Sequence, residues 1–267
     1  MSDVTGHYVS VSDTQIYYEV VGDEEAPPIV AIHTAGAEGR QWQHVAPLLA
    51  DADYRVIIPD LPGHGKSYPI DWEPHDSIHA HAEFVHALIE TLNLEKPAVT
   101  GCSIGGDTVI DLAVNHSDAI RCGMALEGMG RTAGPPLGRF SHPHALPGWE
   151  DVLKYSVIDS TADAIGDATR RELAWQHRNA HAVGTNDLQG WATFDVMDRL
   201  DEVTVPILLV RGEEDFFIQE ETFTETVQRL PQSEAITMAE TGHYPMMERP
   251  ERTVEILTDF LVRSTPD

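Results

Sequence analysis

Val99-Thr100-Gly101-Cys102-Ser103-Ile104-Gly105-Gly106 is the stretch on which the fold turns. Gly101 to Gly105 spells G-x-S-x-G. The apolar run Pro97-Ala98-Val99 before it has the character of a buried strand end, and Ile104 to Val114 repeats apolar residues at helical spacing. Strand, sharp turn and helix is the setting in which such a serine becomes an exposed nucleophile. The reason is steric. A serine on so tight a turn holds strained backbone angles, and a side chain two residues before or after it would strike the neighbouring strand or helix. The following helix also directs unpaired N–H groups and its positive dipole end at the hydroxyl. Five-residue matches of this kind also arise by chance in loops, so the rest of the chain has to supply the context. Cys102 is the rival nucleophile, but the glycine spacing centres on Ser103.

The flanking sequence supplies that context. Tyr8–Val11 and Gln15–Val21 read as strands around a hairpin at Ser12-Asp13-Thr14. Pro28–His33 and Arg55–Asp60 are continuous apolar runs, as expected of parallel strands buried on both faces. Trp42–Leu49 reads as a helix, and Ile78–Leu92 carries one apolar stripe. After Arg121–Glu127, a further strand, the alternation breaks. Residues 129–200 hold no strand-like run, are rich in Pro, Gly, His and Trp, and show helical pieces at Asp151–Tyr155, Ala162–Ala180 and Leu188–Leu200. Alternation resumes at Pro206–Arg211, Gln219–Leu230, Glu234–Met238 and Glu251–Val262. The expectation is an α/β fold: a doubly wound, mostly parallel eight-stranded sheet with helices on both faces. A core of residues 1–128 and 201–267 would carry a helical cap inserted over 129–200.

Composition narrows the class. At 267 residues, with 42% apolar and 23% charged residues, the chain is sized for one ordinary globular domain with an insertion. Neither an apolar run of about eighteen residues nor a basic, then apolar, N-terminus is visible, which makes a cytoplasmic location the expectation. The net charge of −27, from 44 acidic and 17 basic residues, argues against nucleic-acid and membrane partners. It also suggests a surface suited to high salt. Cys102 and Cys122 fall at opposite ends of neighbouring strands, too far apart to bridge.

A serine hydroxyl needs a base within reach, itself oriented by a carboxylate. In a doubly wound sheet the partners follow in the order Ser, acid, His, each just past a strand end. Arg211-Gly212-Glu213-Glu214-Asp215 and Thr241-Gly242-His243-Tyr244-Pro245 fall where required. With them, His33-Thr34-Ala35-Gly36 and Asp60-Leu61-Pro62-Gly63-His64-Gly65-Lys66-Ser67 complete five signatures in order. Over essentially its full length the chain thereby resembles the α/β-hydrolase superfamily. The resemblance implies Ser103 as nucleophile, His243 as general acid/base and Asp215 as the orienting acid. It implies an oxyanion hole from the N–H groups of Ile104 and Ala35. The common pattern has glycine where this chain has Thr34, whose hydroxyl is a candidate third donor. Glu127 is the alternate acid, because some members, the zearalenone lactonases among them, take theirs from that strand end, and the stretch from Gly101 to Glu127 resembles theirs.

Met129, Trp149, Trp175, Trp191 and Phe194 are candidates to line a pocket under the cap, with His142 and His144 behind them; packing of the cap on the core is the alternative role. Pocket residues of this kind would favour a bulky, apolar substrate. His75/His79 and His177/His181 have the i,i+4 spacing of metal ligands on one helical face, but neither pair has an evident third ligand, so solvated histidines and no metal are expected. The expected activity is hydrolysis of a carboxylic ester or lactone, a small-molecule substrate, through an acyl-enzyme, with no cofactor. Alternatives are C–C hydrolysis of a β-diketone-like compound, a cofactor-free peroxidase-like activity, and a ligand receptor on the same fold. A homodimer is compatible with the sequence.

Overall fold

The computed structural model describes residues 3–67, 75–132, 149–177 and 183–264. Strands β1 (Val4–Val11) and β2 (Thr14–Val21) form an antiparallel hairpin. Its turn holds Ser12 and Asp13 at φ 46° and 66°, the left-handed pair whose twist suits a two-residue hairpin. β3 (Pro28–Ile32), β4 (Arg55–Pro59), β5 (Ala98–Cys102), β6 (Cys122–Leu126), β7 (Ile207–Gly212) and β8 (Ser233–Met238) complete one eight-stranded sheet. Its order is β1-β2-β4-β3-β5-β6-β7-β8. The β1–β2 and β2–β4 pairs are antiparallel, and every pair from β4 onward is parallel. β5 and β6 are buried along their whole length, which is why they read as unbroken runs of apolar and small residues.

Alternate residues of β3 enter different cores, Val30 and Ile32 one and Ile29 and Ala31 the other, as the period of two requires. Helices α2 (Ile78–Thr91), α3 (Ile104–His116) and α7 (Glu220–Arg229) cover the first face. Helices α1 (Ala46–Asp51), α8 (Pro245–Glu248) and α9 (Pro250–Arg263) cover the second. Ser77 caps α2, its Oγ accepting the Ala80 N–H at 3.1 Å. The helix expected over Trp42–Leu49 divides instead into a 3-10 turn, Gly39–Trp42, and α1, with Pro47 in the first turn of α1 where its missing N–H costs nothing.

Between β6 and β7 lie α4 (Trp149–Asp159), α5 (Asp167–Gln176), α6 (Gly184–Thr193) and a 3-10 turn, Met197–Glu202. The helix expected from Ala162 starts later, at Asp167. The Ala162 N–H donates to Glu248 Oε2 at 2.9 Å and the Thr161 hydroxyl to the Ile158 carbonyl at 2.8 Å, which hold this stretch as a loop. Both cysteines are buried and free; in the β5–β6 register Cys102 pairs with Leu126 and Cys122 with Ala98, at opposite ends.

Candidate active site

The site begins where β5 turns into α3. Ser103 sits at φ 57° and ψ −120°, a strained conformation for a residue with a side chain. Its N–H donates to the Leu126 carbonyl at 3.0 Å, and its carbonyl accepts the Asp107 N–H at 2.9 Å. A Cβ on Gly105 would lie 2.6 Å from the Ile32 carbonyl oxygen and 2.8 Å from that of His33, and one on Gly101 would strike the Gly105 backbone. The two flanking glycines are therefore demanded by backbone atoms on both sides. Cys102, next in the chain, faces the other way. It is fully buried, and burial keeps its thiol protonated, with its pKa well above the ordinary range. Its Sγ–H donates to the His243 carbonyl at 3.3 Å, tying the histidine loop to the elbow.

His243 lies beyond β8 and Asp215 beyond β7. His243 Nδ1–H donates to Asp215 Oδ2 at 2.6 Å, with both residues buried. That bond fixes the tautomer and leaves Nε2 with a lone pair able to take a serine proton. Asp215 Oδ1 accepts the Phe217 N–H at 2.7 Å. Burial by itself would raise the Asp215 pKa, but His243 outweighs it and holds the carboxyl below its usual range. Glu248 fastens the histidine loop from below, accepting the N–H groups of Gly242 and Tyr244 at 2.9 and 3.0 Å.

Glu127, at the end of β6, adopts φ 50°. Its Oε1 accepts the Gly212 N–H at 2.6 Å, and its carboxyl, that of Asp215 and the His243 ring lie within 4.8 Å of one another. Burial, then the charge on Asp215, push the Glu127 pKa well above the carboxylate range. Two buried carboxyls this close share a single charge. The structure gives that charge, and the bond to His243, to Asp215.

The turn after β3 abuts the elbow at Gly105. The Thr34 N–H donates to Gln41 Oε1 at 2.9 Å and the Gly36 N–H to Asp187 Oδ2 at 2.7 Å. No hydrogen bond among the described residues takes the Ala35 N–H. Ile104 opens α3, so its N–H has no partner within the helix either. The Thr34 hydroxyl, expected as a third donor, lies 3.5 Å from His177 Nε2. His177 Nδ1–H donates to the Leu173 carbonyl at 2.8 Å, which makes Nε2 the acceptor.

The expected pocket residues separate. Met129 and Phe194 are enclosed in the core that α2 and α3 cover. Trp191 is half-buried and meets Phe217 edge-on at 6.3 Å, and Phe217 meets His243 edge-on at 4.9 Å. Trp175 points away, 62% exposed. Trp149 opens α4, but its side chain, like His142 and His144, lies outside the described residues. Phe217 escaped the sequence reading, although the aromatic pair Phe216-Phe217 directly follows Asp215.

The histidine pairs do not act as pairs. α2 starts at Ile78, so His75 precedes the helix, its ring 5.2 Å from His81, while His79 bonds Asp111 at 2.9 Å. His75 and His177 are not solvated, as expected: His75 is half-buried and His177 buried, and desolvation lowers each to about 4. His181 lies outside the described residues.

The comparisons with known proteins agree with this architecture. The profile of the alpha/beta hydrolase family matches residues 29–256. The chain belongs to that family. Among alpha/beta hydrolase relatives, it is 26% identical to a pimeloyl-(acyl-carrier protein) methyl ester esterase of Vibrio atlanticus, over 94% of this chain and 99% of the relative. It is 25% identical to a 2-hydroxy-6-oxononadienedioate/2-hydroxy-6-oxononatrienedioate hydrolase of Paraburkholderia phymatum, over 96% of each chain. Among solved structures, a thermophilic esterase from Thermogutta terrifontis superposes with a TM-score of 0.86 at 21% identity, covering 98% of this chain and 100% of its own. An enol-lactonase from Burkholderia xenovorans does so with 0.83 at 23% identity, covering 96% and 100%. No described helix is long and apolar enough to cross a membrane.

Proposed function

We propose that this alpha/beta hydrolase cleaves a carboxylic ester or lactone through an acyl-enzyme on Ser103. The observation that carries the reading is the buried 2.6 Å bond from His243 to Asp215, set beyond neighbouring strand ends, with the histidine loop tied to the glycine-flanked serine elbow through Cys102. Ser103 Oγ attacks the carbonyl carbon while His243 Nε2 takes its proton. The oxyanion is received by the N–H groups of Ala35 and Ile104. Collapse of the intermediate breaks the C–O bond, and His243 delivers the proton to the leaving alkoxide. Water, deprotonated by the same imidazole, then releases the acid and restores Ser103. Residues 129–200 serve as the cap, and Trp191 and Phe217 border the acyl or alcohol group.

Electrostatics favour a neutral substrate. The chain carries a net charge of −27, and the one carboxylate charge beside His243, on Asp215, is buried. A dicarboxylate such as the dienedioate of the Paraburkholderia relative's name would enter against that field. Turnover of p-nitrophenyl esters of graded chain length, beside Ser103→Ala, tests the reading. Activity lost in the variant supports it. Absence of turnover by folded wild-type protein, at both low and high salt, overturns it and leaves C–C hydrolysis or a receptor role.

A further inference from the structure

Asp187 lies on α6, in the insertion between β6 and β7, and is fully enclosed with only 1% of its surface exposed. Its Oδ2 accepts two hydrogen bonds, from the Gly36 N–H at 2.7 Å and from His64 Nε2–H at 2.8 Å. Its Oδ1 lies 3.3 Å from His81 Nε2 on α2. His64 has acceptors at both ring nitrogens, because Nδ1 faces the Pro62 carbonyl at 3.1 Å. Only an imidazolium donates from both. A buried carboxylate thus meets a buried cation, the arrangement in which two charges survive removal from water. The other ionisable groups nearby are accounted for: His33 Nε2 accepts the Leu61 N–H at 3.0 Å, His75 packs on the far side of His81, and Asp60 takes the N–H groups of Gly39 and Lys66. Nothing in the ester chemistry described above uses this cluster.

Gly36, at φ 63°, follows Ala35 in the turn. The Thr34–Ala35 peptide, which carries the Ala35 N–H, is held through its carbonyl, which accepts His33 Nδ1–H at 2.8 Å and the Ala37 N–H at 3.2 Å; Gln41 fixes the peptide before it and Asp187 the N–H of the peptide after it. The direction of the Ala35 N–H is therefore set by core groups on one side of the turn and, on the other, by one side chain from the insertion. We propose that Asp187 is a positioning residue for the oxyanion hole: by holding the Gly36 N–H from α6, it aims the Ala35 N–H at the reacting carbonyl, so the hole is complete only with α6 seated on the core. The inference rests on the serine-hydrolase reading of this site.

The test is the rate at which a fluorophosphonate labels Ser103, with Oγ–P bond formation and loss of fluoride, together with steady-state kinetics on a p-nitrophenyl ester. Asp187→Ala removes the acceptor and should slow labelling and kcat by about 10²-fold, the scale of a misplaced catalytic group, with KM changed less than about threefold. Asp187→Asn keeps an oxygen for Gly36 and directs its amide at His81, so it should stay within about tenfold of wild type. Loss of packing alone would lower the folded fraction and the melting temperature but not the rate per titrated serine. Should Asp187→Ala not fold, Asp187→Ser, too short to reach Gly36, carries the same expectation. Labelling of the acceptor-less variant at the wild-type rate overturns the inference while leaving the nucleophile intact, and so does an Asp187→Asn loss as deep as that of Asp187→Ala. Wild-type protein that is not labelled, or Ser103→Ala that is labelled equally, overturns the underlying reading instead.

Discussion

Asp215→Asn and Glu127→Gln, two changes of one carboxyl oxygen to an amide nitrogen, should have very unequal effects. At Asp215 the carboxylate receives the Phe217 N–H on Oδ1 and His243 Nδ1–H on Oδ2. The new amide has one acceptor, and Phe217, a backbone donor, claims it. The NH2 group then faces His243 Nδ1, forces the proton onto Nε2 and removes the lone pair that accepts the serine proton. An error of tautomer at this position costs about 10⁴-fold in kcat, or about 5.5 kcal/mol of transition-state stabilisation. At Glu127 the acceptor is claimed by the Gly212 N–H on Oε1. The other oxygen carries the proton of a neutral acid, and an amide NH2 replaces it as a donor. The loss there should stay within about tenfold, or about 1.4 kcal/mol. The assay is kcat/KM on a p-nitrophenyl ester, with fluorophosphonate titration to count competent serines. A Glu127→Gln variant as damaged as Asp215→Asn would falsify the assignment of the single charge and make Glu127 the orienting acid.

Three further outcomes are expected. Gly105→Ala drives a Cβ to 2.6 and 2.8 Å from the carbonyl oxygens of Ile32 and His33; because the obstacle is backbone, denaturant titration should show a loss of about 3 kcal/mol or more. The buried imidazoles should make the fold lose stability to acid between pH 6.5 and 4. Desolvation lowers His33 to about 3 and His75 and His177 to about 4, so below 6.5 the unfolded chain binds protons the folded one refuses. The stability each of these imidazoles gives above 6.5 is then lost as pH falls, by up to about 1.4 kcal/mol per pH unit, while Glu127 and Asp107, kept protonated in the fold by burial, act in the opposite sense; His177→Gln should make stability fall less steeply with acid than in the wild type, and an unchanged slope refutes it. Screening of a net charge of −27 should raise the melting temperature between low and molar salt; no rise would leave the acid excess without a role in stability.

Much of the sheet and the elbow was legible because the constraints there are local. G-x-S-x-G states that backbone crowds both flanks of one serine, and the glycine contacts at 101 and 105 are that statement in three dimensions. Continuous apolar runs mark β3 to β7 for the same reason, since strands covered on both faces have no polar side to show. Helix boundaries were less legible. The His75/His79 spacing places two rings on one face only if a helix spans them, and the Ser77 cap starts α2 after His75.

The sequence by itself determined the strand order of the motifs, the serine and the short list of its partners, because each of those follows from periodicity, steric need or position at a strand end. It put Asp215 ahead of Glu127 as the orienting acid but kept both, two acids beyond two strands. Only the tertiary structure separated them, by setting one against His243 and both beside each other, where like charges cannot coexist in a low dielectric. Asp187 was invisible for a simpler reason. It stands 151 positions from Gly36, and a carboxylate on a polar stretch of helix reads as solvated until α6 docks and brings His64, His81 and an orphan backbone N–H around it. Spacing within a chain encodes what neighbours in sequence require; which distant charge satisfies a buried donor is decided by packing.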